Sequence, residues 1–111
     1  MLFFENIFML LFGPAIADFV LQPDAMGYGK NRNDKIHAKE HSLFPVWYYW
    51  LTAHALVHGG IVYMITGNIW LGVLETVLHW ITDFAKNEGW IGMHQDQGIH
   101  ISCKAGYAFL F

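Results

Sequence analysis

Four predominantly apolar stretches, separated by shorter polar segments, dominate the pattern of this chain. A helix rises about 1.5 Å per residue, so the first three stretches are about long enough to cross a membrane core of roughly 30 Å, while the last is short for a full crossing. The pattern predicts four α-helices, at about residues 2–21, 44–66, 68–86 and 96–111. Thr66, Gly67 and Asn68 predict a tight antiparallel hairpin between the second and third helices.

The composition favours a membrane environment for these helices. Hydrophobic residues make up 55% of the 111 residues, charged residues make up 14%, and the mean hydropathy is +0.31. About a quarter of the residues of an average soluble domain are charged, so this chain has too few charged residues to form a water-exposed surface. We interpret the chain as an all-α, polytopic membrane protein with one domain, a transmembrane four-helix bundle. Its predicted partner is the lipid bilayer, nucleic acid is not expected because no basic face exists, and a homo-oligomer is left open.

The polar segment from about residue 22 to 42 sets the predicted topology. It contains glycines and is expected to be irregular. Four of the six basic residues lie in it, namely Lys30, Arg32, Lys35 and Lys39. Short basic loops stay cytoplasmic, which places both chain termini outside. Glu5, with no Lys or Arg before the first apolar stretch, predicts that this stretch is kept as a helix and not cleaved as a signal peptide.

The third helix carries a polar stripe within an apolar sequence. Glu75, His79 and Asp83 are spaced four apart, and residues four apart share one face of a helix. Ordinary helix packing does not need such a stripe. Ionisable side chains inside a membrane indicate a functional site, because they are costly to bury without partners.

The other three predicted helices carry matching groups at a similar depth. His54 and His58 are four apart on the second helix, as are Asp96 and His100 on the fourth, and Asp18 lies near the end of the first. At the rise of a helix, these groups converge on one layer in the cytoplasmic half of the bilayer. We therefore expect a shared site.

Histidine and carboxylate side chains from facing helices are typical of metal sites in helical bundles. These ligand types suit Zn, Mn or Fe(II), and a catalytic ion would turn a bound water into a nucleophile for hydrolysis. The predicted metal ligands are His54, His58, His79, Asp83, Asp96 and His100. Asp18 and Glu75 are the predicted catalytic residues, each as a general base or a further ligand. Glu75 could equally orient His79 through a hydrogen bond.

Four ordered segments of the chain resemble domain-of-unknown-function family 3307, which consists of short integral membrane proteins of bacteria and phages. The segments are ADFVLQPD from Ala17, HALVH from His54, LHWITDFAK from Leu78 and DQGIH from Asp96. The resemblance covers nearly the whole chain and implies a location in the bacterial inner membrane. The shared positions it implies are Asp18, Gln22, His54, His58, His79, Asp83, Lys86, Asp96, Gln97 and His100. Pro14 stands where such proteins often have a histidine.

The resemblance implies no activity, but its motifs look like those of membrane-bound metal-dependent hydrolases. That analogy implies hydrolysis of a membrane-associated substrate. Three alternatives stay open: a second metal ion in the same cluster, a non-enzymatic phage or bacterial membrane factor whose polar cluster is structural, and a haem held by two histidines. Enzymatic turnover is left open as well.

Overall fold

The computed structural model describes residues 2–19, 24–35 and 46–110, and these residues form five α-helices. They are α1 (Leu2–Phe19), α2 (Asp24–Gly29), α3 (Trp47–Thr66), α4 (Ile69–Asn87) and α5 (Met93–Leu110). The four long helices lie in the predicted stretches, so the all-α prediction is confirmed. The predicted helix limits at residues 21, 44 and 111 fall outside the described residues.

Two helix assignments differ from the sequence prediction. Helix α2 is a short helix in a segment that was expected to be irregular. Helix α5 begins three residues early, at Met93 rather than 96, because the Gln95 side chain accepts a hydrogen bond from the Gly92 backbone N–H at 2.8 Å. This contact is half of a capping box, which satisfies a donor at the start of a helix.

The hairpin between α3 and α4 forms as the sequence predicts. Gly67 adopts a left-handed conformation with φ of 67°, and its N–H donates to the Tyr63 carbonyl at 2.8 Å. The side chain of Asn68 then caps α4 by accepting from the N–H of Trp70 at 2.9 Å. Because the turn is this short, α3 and α4 pack side by side along their length, which is the most extensive helix pair among the described residues.

Two glycines let α3 and α4 approach closely. A Cβ atom on Gly59 would lie 1.8 Å from the Thr76 hydroxyl and 2.6 Å from the Gly72 carbonyl oxygen, both on α4. A Cβ atom on Gly60 would meet nothing within 4 Å. The close approach brings the histidines of α3 next to the polar stripe of α4.

We expect Gly59→Ala to destabilise the fold by about 1–3 kcal/mol, because the added methyl group forces the two helices apart. Gly60→Ala is the matched control, and it should raise stability by up to about 1 kcal/mol because alanine favours the helix. Urea unfolding of the two variants measures the difference. Equal stabilities would show that α3 and α4 do not pack at this glycine.

The interior of the described bundle has a polar level and an apolar level. An apolar core of Leu10, Val62, Leu71, Tyr107 and Ala108 lies about one turn beyond the polar cluster on α3, α4 and α5. Large apolar side chains face outwards, and among them Met64 is 83% exposed and Phe109 is 78% exposed. The interior of this fold therefore contains polar side chains beside the apolar core, while many large apolar side chains are exposed.

None of the helices within residues 2–19, 24–35 and 46–110 combines the length and the apolar character that a membrane crossing requires. Buried polar side chains interrupt the apolar sequence of α4 and α5 at nearly every turn, and α3 contains the buried His54 and His58. The prediction of a polytopic transmembrane bundle in the bacterial inner membrane, with termini outside and a cytoplasmic basic loop, is therefore wrong.

Candidate metal centre

The polar stripe of α4 is buried over its whole length. Glu75, His79 and Asp83 expose only 1–2% of their surface. Their spacing of four places them on the α4 face that contacts α3 and α5, while Val77 and Ile81 of the same helix are exposed. The face that sequence periodicity singled out is thus the inner face of the helix.

Histidines of α3 and an aspartate of α1 meet this stripe. Asp18 Oδ1 lies 2.8 Å from His58 Nε2 and 3.3 Å from His54 Nε2. His54 Nε2 also lies 3.4 Å from Asp83 Oδ2. Burial alone would raise the pKa of Asp18, but its contacts with the two imidazoles outweigh burial and hold the pKa far below its ordinary value. Asp18 is therefore an anion next to two histidines.

Two buried nitrogen atoms in the cluster make no hydrogen bond with any residue that the structure describes. They are Nε2 of His54 and Nε2 of His79. His54 Nε2 has long contacts with carboxylate oxygens of Asp18 and Asp83, at 3.3 and 3.4 Å, and His79 Nε2 lies 3.6 Å from Asp83 Oδ2. Buried polar groups in native proteins are nearly always satisfied, and an exception calls for an explanation such as a bound ion.

The histidine rings are packed against one another. The His79 ring stacks on the His58 ring with centroids 3.6 Å apart and on the His100 ring at 4.2 Å. Burial lowers the pKa of His79 to about 4, and the neighbouring His58 and His100 rings act in the same direction. His79 is therefore neutral at pH 7, as a metal ligand must be. These ring distances leave no space for a haem between the histidines.

Three sets of side chains among the described residues bring ligand atoms within 4.8 Å of one another. They are Asp18 with His54, His58 and His79; Glu75 with His79 and His100; and Asp83 with Asp96 and His100. The first set is called the ligand group below. All eight predicted site residues belong to one of the three sets. The stacked rings of His58 and His79 are nearly parallel, at 20°, so their nitrogen lone pairs do not converge on one point, and the ligand group must rearrange to bind an ion.

The carboxylates of Asp83 and Asp96 are paired with lysines. Lys30 Nζ donates to Asp83 Oδ2 at 2.9 Å. Lys86 Nζ lies between the two carboxylates, 3.4 Å from Asp83 Oδ1 and 3.7 Å from Asp96 Oδ2. Burial would raise the pKa of Asp83, but the charges of Lys30, Lys86 and the neighbouring imidazoles together outweigh it and keep the pKa well below normal. We call Asp83 and Asp96 the lysine-paired carboxylates.

Lys30 reaches Asp83 because hydrogen bonds hold the segment around Lys30 against the end of α4. The Asn87 side chain donates to the Lys30 carbonyl at 3.0 Å, and the Asn33 side chain donates to the Asn87 carbonyl at 3.1 Å. Arg32 forms an ion pair with Glu88 at the same end. From the sequence, Lys30 was expected in a basic loop and not as the partner of Asp83. No local pattern predicts a contact between residues 53 positions apart.

Glu75 is held on the side away from Asp18. Its Oε1 accepts from Lys104 Nζ at 2.6 Å and lies 3.3 Å from His79 Nδ1, and its Oε2 accepts from the Tyr107 hydroxyl at 2.8 Å. Glu75 and Lys104 are each 1% exposed. Burial would raise the pKa of Glu75, but its contacts with His79 and Lys104 lower it to about 2.

Lys104 and Tyr107 were not among the predicted site residues. The sequence did carry a signal for Lys104, because Asp96, His100 and Lys104 repeat the spacing of four that marked the stripe of α4. All three are buried on the inner face of α5. No local pattern signals Tyr107, whose partner on α4 is 32 positions away.

Two cavities reach the cluster and share four lining residues, Asp18, His79, Gln97 and His100. Cavity 1, of about 170 Å³, lies between α1 and α5 and is also lined by His58, Lys104 and four apolar residues, Leu11, Pro14, Ala15 and Ile101. Cavity 2, of about 280 Å³, is also lined by both lysines, the lysine-paired carboxylates and Met93. Small molecules can therefore approach the cluster from two sides.

No protein-family model matches the chain, and no curated protein and no solved structure gives a significant match. The resemblance to family 3307 therefore stays a prediction. Of the positions it implies, Gln22 lies outside the described residues, and the others line the cavities or belong to the buried cluster. Pro14, where such proteins often have a histidine, lines cavity 1 one turn before Asp18.

Proposed function

We propose that this protein is a metal-dependent hydrolase with one divalent transition-metal ion, bound by Asp18, His54 and His79 of the ligand group, with His58 hydrogen-bonded to Asp18. The observation that carries the proposal is the pair of buried, unsatisfied Nε2 atoms on His54 and His79. Both belong to the ligand group, whose other members are an anionic carboxylate and a third imidazole. Imidazole and carboxylate ligands suit Zn, Mn or Fe(II).

Charge pairing favours one ion at the ligand group over a second ion elsewhere. The lysine-paired carboxylates already have Lys30 and Lys86 as cationic partners. Glu75 has Lys104. A second divalent ion would have to displace these ammonium groups, whereas the carboxylate of Asp18 contacts the imidazoles of His54 and His58.

The surroundings of the ligand group suit hydrolysis. When bound, a divalent ion polarises a substrate oxygen and makes a water molecule more acidic. Asp18 and His79 line both cavities, so water and substrate reach the group from either side. Hydrolysis adds the water oxygen to the electrophilic atom of an ester, breaks the bond to the alcohol oxygen and transfers one proton to that oxygen.

His100, paired with Asp96, is the side chain best placed to carry that proton. His100 Nε2 lies 3.2 Å from Asp96 Oδ1, and the ring lines both cavities. Glu75 was predicted as a general base, but both of its oxygens are held by other side chains behind His79. We assign Glu75 a positioning role. It accepts a hydrogen bond from His79 Nδ1, which leaves the lone pair of His79 Nε2 available to a metal.

Metal analysis of the purified protein tests the proposal. We expect about one equivalent of Zn, Mn or Fe, and removal of the ion by a chelator should lower the melting temperature. Re-addition at 100 times the dissociation constant should restore about 2.7 kcal/mol, since the ion binds the folded state. A protein that takes up no metal and gains no stability from any of the three would show that the cluster is a structural network.

A further inference from the structure

The two cavities beside the ligand group differ in chemistry, which bears on what the site accepts. The wall that belongs to cavity 1 alone has four apolar residues, Leu11, Pro14, Ala15 and Ile101, together with His58 and Lys104, whose ammonium group is bound by Glu75. The wall that belongs to cavity 2 alone contains Lys30 and Lys86. The shared residues, Asp18, His79, Gln97 and His100, lie where the cavities meet. A molecule that extends from one cavity into the other past the ligand group would suit these walls best with an apolar end in cavity 1 and a polar end in cavity 2.

The charge of cavity 2 depends on the metal. Its lining contains three carboxylates and two lysine ammonium groups, together with Gln97 and the imidazoles of His79 and His100. The formal charges of these carboxylates and ammonium groups sum to one net negative charge without a metal. A divalent ion at Asp18 changes this to one net positive charge, so an anionic group binds to the loaded protein and not to the metal-free protein.

Lys86 is the cation that can turn towards an incoming anion. Its side chain is 25% exposed, whereas that of Lys30 is 7% exposed. Its Nζ is 3.4 Å or more from either carboxylate, a looser contact than the 2.9 Å between Lys30 and Asp83. Met93, the first residue of α5, lines the same cavity, and the start of a helix favours negative charge.

We propose that the substrate is a phosphate monoester of an alcohol with a short apolar chain, a proposal that rests on the metal site above. The phosphate lies in cavity 2 against Lys86, and the chain lies in cavity 1 against Ile101. A phosphate monoester carries about −1.5 to −2 charges, which matches a bound ion together with an ammonium group. Water forms the new P–O bond, the P–O bond to the alcohol breaks, and the alcohol leaves with a proton.

Calorimetry on zinc-loaded and chelator-treated protein, with metal content measured on the same samples, tests this assignment. The probes are inorganic phosphate, ethyl phosphate, butyl phosphate and butyrate. We expect binding to the loaded protein only, with affinity rising about three- to fourfold per methylene group from ethyl to butyl phosphate. We also expect the loaded protein to release inorganic phosphate from butyl phosphate.

Two variants separate the two ends of the substrate. Lys86→Gln should weaken all phosphates by about tenfold or more, because a charged hydrogen-bond donor is lost. Ile101→Ser should remove the gain per methylene group and leave the affinity for inorganic phosphate unchanged. Both variants should retain zinc.

Each contrary result has a distinct meaning. If zinc binds but butyl phosphate binds no better than inorganic phosphate, or binds the metal-free protein equally well, the substrate assignment is wrong and the metal site stands. Butyrate binding as tightly as butyl phosphate would also overturn the choice of phosphate. If the protein takes up no zinc, the metal proposal itself fails.

Discussion

His79→Ala is expected to lower the affinity for zinc by about 100-fold or more while the protein stays folded. The variant removes a ligand outright, and loss of a group that merely orients a ligand already costs 10–100-fold. The fold should survive because Glu75, the hydrogen-bond partner of His79 Nδ1, keeps Lys104 and Tyr107 as donors. Competition with a coloured zinc chelator measures the affinity, and circular dichroism measures the fold.

His94→Ala is the matched control for this variant. His94 lies on α5 with an exposed side chain and belongs to none of the three sets of ligand atoms. It should bind zinc as the wild type does. Wild-type affinity in His79→Ala, together with a loss in His94→Ala, would place the metal outside the proposed centre.

Lys104→Met is expected to destabilise the protein by about 3–5 kcal/mol. Lys104 and Glu75 form an ion pair in which both side chains are 1% exposed, and removal of one partner leaves an uncompensated buried charge. Adding Glu75→Gln to Lys104→Met should recover more than half of the loss, because the amide is neutral and still accepts from Tyr107. Urea unfolding of the metal-free proteins measures both effects.

Lys86→Met serves as the comparison, because it also removes a lysine from a carboxylate. Asp83 keeps Lys30 at 2.9 Å in this variant, and Lys86 is one-quarter exposed, so we expect a loss of about 1 kcal/mol. Wild-type stability in Lys104→Met would show that Glu75 is not buried as an anion.

Local spacing predicted much of the fold and of the cluster. The repeat of four that joins Glu75, His79 and Asp83 identified the inner face of α4, and the pair His54 and His58 identified that of α3. Helix periodicity is a local property, so one sequence suffices to find it. The hairpin at Gly67 was predictable for the same reason.

The partners of those residues depend on tertiary packing and were not predictable in this way. Lys30 and Asp83 are 53 positions apart, and Lys104 and Glu75 are 29 apart. These pairs come into contact because the helices pack together and because the segment near Lys30 is hydrogen-bonded to the end of α4. These ion pairs decide which carboxylates are left for a metal, so the choice of Asp18 over Asp83 needed the structure.

The membrane prediction failed because it relied on the length of the apolar stretches and on average composition, without subtracting the polar side chains inside each stretch. A high apolar content was interpreted as four membrane crossings, but the length and apolar character of each helix decide whether it can cross. In α4, Glu75, His79, Asp83 and Lys86 break the apolar sequence at nearly every turn. The same polar residues that identified a site therefore reduce the hydropathy of the helix that carries them.

Anomalous diffraction at the zinc absorption edge, from crystals of the loaded protein, tests the central claim most directly. We predict one peak within about 2.0–2.2 Å of ligand atoms of Asp18, His54 and His79, the distance range of zinc to nitrogen and oxygen. A peak between Asp83, Asp96 and His100, or the absence of any peak in the cluster, would contradict the proposed centre.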